Sequence, residues 1–502
     1  VIIRRIEPIL KPQFLFHFAK VKGVTPFCPT SCIFAAQNLP MSLLKSISGI
    51  RGTIGGEVGE NLTPLDIVKY TAAFATIMAE GKATPRIVVG RDGRISGPLV
   101  QQLVMQTLVG LGVEVIDLGL STTPTVELAV PAEKADGGII ITASHNPREW
   151  NALKLLNATG EFIDASIGRK VLQLAEEQSF QFAPVEKLGT IITKDYLEYH
   201  LEAILSYPLV DKDLIASRQL KIVVDAINST GATYVPALLK KLGVHHVTVI
   251  NETVNGHFAH NPEPLPEHLR GLCEEVVRQG ADLGIAVDPD VDRLCFVNED
   301  GTLFGEEYTL VAVADYVLSK RKGNTVSNMS STKALRDITL SCGGVYTPAA
   351  VGEVNVVKKM KETQAVIGGE GNGGIIVPDF HYGRDALIGI GLFLSHFAGQ
   401  EKAMSGFRNN YPNYFISKNK IELPAGVNLA ALLDKLAIKY KKQPLNREDG
   451  LRIEFDQDWV HLRASNTEPI VRIYAESDLE TKATNIAQQL LRDIRENSLS
   501  ES

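Results

Sequence analysis

Two periods of apolar and polar residues run along this chain. At residues 85–119, PRIVVGRDGRISGPLVQQLVMQTLVGLGVEVIDLG, a β-branched run leads into a polar loop, then an apolar pattern of helical period, a Leu-Gly-Val turn and another β-branched run. Residues 220–250, LKIVVDAINSTGATYVPALLKKLGVHHVTVI, repeat the scheme, and residues 324–353 carry a fainter third copy. Each copy predicts strand, helix, strand: the βαβ unit, whose crossover favours a parallel or mixed sheet. Three copies predict three similar α/β domains in series. The end of the chain reads differently. Residues 414–423 predict a strand, 429–442 a helix, and 450–497 a hairpin, a loop, a third strand and an amphipathic helix. That order suits an open, mainly antiparallel sheet with helices on one face. The boundaries give α/β domains at 41–195, 196–300 and 301–408, and an α+β domain at 409–502.

Composition narrows the classes. A chain of 502 residues is too long for one hydrophobic core. A net charge of −7 supplies no basic surface, so nucleic acid is not an expected partner. The apolar run Ala386–Leu394 is far shorter than a membrane span. Cys28, Cys32, Cys273, Cys295 and Cys342 are scattered and odd in number, which argues against a disulfide framework and for a reducing cytoplasm. Residues 1–40 show no period and are expected to lie outside the native fold. The alternatives are a targeting segment or a metal half-site at Cys28 and Cys32, and each lacks its full pattern.

Four polar loops interrupt the apolar pattern. In GGIIITASHNP (137–147) a buried-type strand stops at Ser144, which by itself is an ordinary turn residue. In DLGIAVDPDVDRLCFVNEDG (282–301) Asp288, Asp290 and Asp292 alternate just past an apolar run. Three carboxylates on one short loop repel one another unless a cation neutralises them, and hard oxygen ligands suit Mg²⁺. A calcium loop counted from Asp288 would reach Glu299, but Arg293 stands where such a loop needs glycine. In HLRASNTEPIVR (461–472), Ser465, Asn466 and Thr467 between Arg463 and Arg472 suit a phosphate dianion. In IGGEGNGG (367–374), Glu370 and Asn372 on a glycine-rich loop suit vicinal sugar hydroxyls.

TASHNP, DPDVDR, GEGNGG and RASNTEP, in this order and joined by GIRG (49–52), VGRDGR (89–94) and STTP (121–124), resemble the signatures of the α-D-phosphohexomutase superfamily over about residues 41–497. The resemblance implies a heart-shaped, four-domain protein: three mixed-sheet α/β domains and a C-terminal domain like the TATA-box-binding protein, with one loop from each lining a cleft. It implies a phosphoserine at Ser144, and Mg²⁺ held by Ser144, Asp288, Asp290 and Asp292. Arg51, His145 and Arg293 fall in the catalytic set. Lys154 matches the family's general acid/base, and its expected neighbours Arg51 and Arg293 predict a lowered pKa. Glu370 and Asn372 would read the sugar, while Arg463, Ser465, Asn466, Thr467 and Arg472 would grip the phosphate that is not reacting. The implied activity interconverts hexose 6-phosphate and hexose 1-phosphate, with a hexose 1,6-bisphosphate as intermediate and activator, in a cytoplasmic monomer or homodimer that acts on small sugar phosphates without a membrane.

Two departures bear on the substrate. Many relatives carry Ser and His where this chain has Asn372 and Gly374. The segment VGEVNV (351–356) has Glu353 where many carry His or Lys. An acid there predicts a preference for the ammonium of glucosamine 6-phosphate, so phosphoglucosamine mutase is the first expectation and phosphomannomutase/phosphoglucomutase the second. A phosphatase using the same aspartates, or a non-catalytic sugar-phosphate-binding protein, are the competing classes.

Overall fold

The computed structural model describes residues 42–46, 49–422, 428–464 and 470–499, all within one unit spanning residues 40–502. The expectations for residues 1–40 and for Ser465, Asn466 and Thr467 lie outside the described residues.

Among the described residues four sheets follow one another along the chain. The first has seven strands, in the order Leu44–Ser46, Gly49–Thr53, Trp150–Leu156, Gly137–Ile141, Arg86–Arg91, Glu114–Leu120 and Ile191–Thr193. Its βαβ unit places helix Gly97–Gly110 between two parallel strands, and the strand Trp150–Leu156 returns antiparallel to Gly137–Ile141. Side chains alternate between the two faces of a strand. Ile87, Val89, Ile139 and Ile141 accordingly enter one core, while Val88, Ile116 and Ile140 enter another on the opposite face. Cover on both faces is why these strands read as continuous apolar runs.

The second sheet has the order Leu294–Asn298, Leu283–Val287, Lys221–Asp225, His246–Ile250, with only the first pair antiparallel. The third is Tyr346–Ala349, Asn324–Asn328, Ala365–Glu370, Gly374–Val377, His381–Arg384. Both are mixed, as the crossover pattern predicts. One apolar cluster joins them. The run at 386–394 belongs to the buried helix Ala386–Ala398, whose Phe393 stacks 3.7 Å from Phe296 of the second sheet. No helix among the described residues is long and apolar enough to cross a membrane. The fourth sheet, Phe415–Glu422, Ile470–Ser477, Trp459–Ala464, Leu451–Glu454 and Leu445–Asn446, is antiparallel throughout. Helices Leu429–Lys439 and Glu480–Leu499 close its core.

Polar side chains also tie the sheets together. Asp385 caps helix Ala386–Ala398 through Oδ1 and meets two imidazoles through Oδ2: His200 Nε2 at 2.9 Å and His381 Nε2 at 3.1 Å. His200 in turn lies 2.8 Å from Thr125 Oγ1 in the first domain. The cysteines Cys273, Cys295 and Cys342 are free.

Candidate active site

Loops at the carboxyl ends of strands in the first three sheets converge, the usual ligand position of an open α/β sheet. Ser144 follows Gly137–Ile141, Asp288–Asp292 follows Leu283–Val287, and Glu370 ends Ala365–Glu370. Ser144 is buried, with φ at 48°, and donates its hydroxyl hydrogen to Asp288 Oδ2 at 2.6 Å. A serine from the first domain and the acidic loop of the second therefore touch. Val291, within the acidic loop, has φ at 60°, a strained setting for a β-branched residue and one typical of functional loops.

The protein holds both oxygens of Asp288 and one oxygen each of Asp290 and Asp292. Asp288 Oδ1 accepts from the backbone N–H of Asp292 and of Arg293, both at 3.1 Å. Asp290 Oδ2 accepts from Thr123 Oγ1 at 2.5 Å and Lys154 Nζ at 2.6 Å. Asp292 Oδ2 accepts from Lys154 Nζ at 3.1 Å and Arg384 Nη2 at 2.8 Å. The remaining oxygens, Asp290 Oδ1 and Asp292 Oδ1, are buried without a partner. Buried carboxylate oxygens rarely stay unpaired. One ligand atom from each of the three aspartates lies within 4.8 Å of the others, an all-oxygen donor set that fits a hard divalent cation. Burial, then Asp290 and Asp292, push the Asp288 carboxyl well above its usual range. Burial acts the same way on Asp290, but Lys154 and Thr123 overcome it and hold that carboxyl below the ordinary value.

Lys154 corrects an expectation. Burial does oppose its charge, yet Asp290 and Asp292 outweigh it, and the ammonium pKa is raised rather than lowered. Arg51 instead donates to Asn146 Oδ1 at 2.6 Å, and burial, followed by Arg293 and Arg94, brings its pKa down to about 10. His145 Nδ1 is 3.4 Å from Ser144 Oγ, and its Nε2 is 3.5 Å from Arg293 Nη2. Burial and then Arg293 and Arg51 push the His145 pKa well below its ordinary value, so the ring is neutral at neutral pH.

Arg293 pairs with Glu263 at 2.9 Å. The segment bearing Glu263 is anchored by His260, whose Nε2 donates to Asp225 Oδ2 and whose Nδ1 faces the Asn261 carbonyl. Burial disfavours this imidazolium, but Asp225 prevails and raises its pKa above the ordinary 6.5. The contribution to stability is then complete below about pH 6.5 and lost as pH rises through the folded-state value. Thermal midpoints of wild type and His260→Gln should differ most near about pH 5.5 and converge by about pH 9. A gap that widens with pH would contradict this.

Glu370 is held on both oxygens. Oε1 accepts from Asn328 Nδ2 at 2.8 Å and Gly352 N at 3.1 Å, and Oε2 from Arg384 Nη1 at 2.8 Å. Asn372 lies beside it, with Nδ2 3.5 Å from Oε2. Gly373 has φ at 83°, and a Cβ there would sit 2.1 Å from the Leu294 carbonyl oxygen, so glycine lets the loop bearing Glu370 rest on the strand after the acidic loop. Glu353 is held by Arg384: Oε1 accepts from Arg384 N at 3.2 Å and Oε2 from Arg384 Nε at 3.0 Å. Glu299 is likewise turned away from the acidic loop, accepting from Ser405 N at 2.9 Å.

In the fourth sheet Arg463 and Arg472 stand directly opposite on neighbouring strands. Arg463 is buried, its Nε has no partner, and burial lowers its pKa. The fourth domain reaches the third through His461, 2.8 Å from Ser330 Oγ, and Asp449, which accepts from Val351 N at 3.0 Å. Neither Arg94 nor Arg384 was singled out from sequence. Arg94 is fully buried and donates to the carbonyls of Ser144, Asn146, Pro147 and Trp150 while pairing with Asp92 at 3.0 Å. The available signals were VGRDGR at 89–94 and, after the glycine-rich loop, GRD at 383–385.

Models of the phosphoglucomutase/phosphomannomutase family match alpha/beta/alpha domain I at residues 43–182, domain II at 195–301, domain III at 305–414 and the C-terminal domain at 420–493. A phosphoglucomutase/phosphomannomutase of Thermococcus kodakarensis is 37% identical, over 86% of this chain and 95% of its own. A protein of Methanopyrus kandleri named probable phosphoglucosamine mutase is 30% identical, over 89% and 97%. The crystal structure of a phosphoglucomutase/phosphomannomutase family protein from Burkholderia thailandensis superposes with a TM-score of 0.77 at 25% identity, covering 91% of this chain and 96% of that one. With all four domains matched in order, the chain belongs to the phosphoglucomutase/phosphomannomutase family within the α-D-phosphohexomutases and is, like them, an isomerase.

Proposed function

We propose that this phosphohexomutase carries its phosphoryl group on Ser144 and interconverts the 6- and 1-phosphates of glucose and mannose through a hexose 1,6-bisphosphate. The observation that carries the reading is the contact of Ser144 Oγ with Asp288 beside two buried, unpartnered oxygens of Asp290 and Asp292. Those three carboxylates would hold Mg²⁺ together with an oxygen on Ser144. Mg²⁺ bound there would neutralise charge on the transferring group and polarise it. In the first half-reaction the bond from phosphorus to Ser144 Oγ breaks as one forms to the free C1 or C6 hydroxyl oxygen, and the proton that hydroxyl loses is balanced by one gained at Ser144 Oγ. In the second, the other phosphate passes to Ser144 Oγ, which gives up its proton, and the sugar oxygen it leaves takes one up. Phosphoryl transfer depends mainly on positioning and charge. Lys154 suits this by holding its proton at Nζ beside the reacting groups, as the acid for a departing sugar oxygen. Glu370 and Asn372 would accept and donate to sugar hydroxyls. Arg463 and Arg472, with the loop between them, would hold the second phosphate.

Pairing of Glu353 with Arg384 supports neutral sugars over an amino sugar. The guanidinium balances the charge of Glu353, which weakens its pull on a sugar ammonium while leaving Glu370 able to accept from neutral hydroxyls. The 37% identity to a phosphoglucomutase/phosphomannomutase supports the same choice. Glucosamine phosphate is the second reading, supported by relatives near 30% identity that carry that name. Coupled assays on glucose, mannose and glucosamine 6-phosphates are expected to give kcat/KM at least about 10-fold higher for the two neutral sugars. A preference for glucosamine reverses the assignment. Release of inorganic phosphate without the isomeric product would replace the mutase with a phosphatase.

A further inference from the structure

Arg384 ends the strand His381–Arg384 and is buried at 9% exposure. Its guanidinium is shared among three carboxylates from different elements: Asp292 through Nη2, Glu370 through Nη1 and Glu353 through Nε. Room for it is built into the sugar loop, since a Cβ at Gly374 would lie 2.4 Å from Arg384 Cδ. On Asp292 it joins Lys154 in occupying Oδ2, which leaves Oδ1 as the free oxygen. On Glu370 it fixes Oε2, on the other side from Asn328 and Gly352. A planar fork can serve both acids at once, whereas an ammonium on a flexible stem cannot keep both directions.

We propose that Arg384 is a positioning residue for both halves of the site, presenting Asp292 to the divalent cation and Glu370 to the sugar, with Glu353 as the buttress that aims it. The proposal rests on the reading of the acidic loop as the metal site and of Glu370 as a sugar contact. Loss of an outer partner of a metal ligand typically weakens metal binding about 10- to 100-fold.

The test uses the full chain and Mn²⁺ as the probe, with free Mn²⁺ followed by electron paramagnetic resonance in the absence of sugar. Separately, KM is measured for glucose 1-phosphate at saturating Mg²⁺. Arg384→Met and Arg384→Lys should each raise the Mn²⁺ dissociation constant and KM by about 10-fold or more. Glu353→Gln should move both in the same direction by less. A role in folding alone would lower the fraction of active protein and leave the two constants of the folded fraction unchanged. If Arg384→Met does not fold, Arg384→Lys carries the test. The proposal is overturned if either constant stays within twofold of wild type in the folded variants. Asp290→Asn separates this from the underlying reading: if that variant binds Mn²⁺ like wild type, the acidic loop is not the metal site. If it loses Mn²⁺ while the Arg384 variants keep it, the loop stands and Arg384 is acquitted.

Discussion

Ser144→Ala should abolish isomerisation, with a fall in turnover on the order of 10,000-fold or more, while the protein stays folded. The hydroxyl makes one short hydrogen bond, to Asp288, and no backbone support depends on it. The loop is held from outside, by Arg94 on its carbonyls and by Thr142, whose Oγ1 accepts from Ser144 N at 2.9 Å. Alanine at a φ of 48° costs about 1 kcal/mol, too little to unfold a chain of this size. No neighbouring group can replace the lost acceptor: His145 is neutral but faces a cation, and Lys154 holds its proton. Intact mass after incubation with glucose 1,6-bisphosphate should show a phosphoryl group on wild type and none on the variant. Turnover within tenfold of wild type, or a phosphorylated variant, would refute the role of Ser144.

Arg94→Met should act on the same loop through stability, costing about 3–5 kcal/mol, the usual range for breaking a buried charge pair from one side. The side chain is fully buried. Its removal leaves Asp92 without its cation and leaves four carbonyls short of a donor. Burial already raises the Asp92 pKa against the pull of Arg94. The damage would spread, because Thr142 Oγ1 donates to Asp92 Oδ2 and Gly93 N donates to Ser229 Oγ, which reaches the Pro289 carbonyl of the acidic loop. Turnover of the folded fraction should therefore drop about 100-fold as Ser144 loses its alignment with Asp288. Denaturant unfolding and activity on the same preparation measure both. A loss below about 1 kcal/mol would show that the loop holds itself.

The contrast between these residues explains what could be read from sequence. The three βαβ copies and the antiparallel end announce themselves through periodicity, because strands covered on both faces and amphipathic helices leave distinct patterns. Ser144 and the three aspartates were legible because each sits where an apolar run breaks, and crowded acids demand an explanation. Arg94 and Arg384 were not, because their partners are carbonyls and carboxylates far away in sequence, which no spacing rule encodes. Lys154 was misjudged for the same reason. Its arginine neighbours were counted, while Asp290 and Asp292, 136 and 138 residues away, were not. Glu353 was read as a free acid, and its pairing with Arg384 depends on a strand thirty-one residues further on.

The backbone at Ser144 has a consequence for which hydroxyl amino acid can occupy that position. Threonine offers an equally phosphorylatable oxygen, but its β-branch is poorly tolerated at positive φ. Serine is unbranched and can accept the left-handed turn that aims its oxygen at Asp288. The preference for the smaller alcohol is thus set by the shape of the main chain, before reactivity enters.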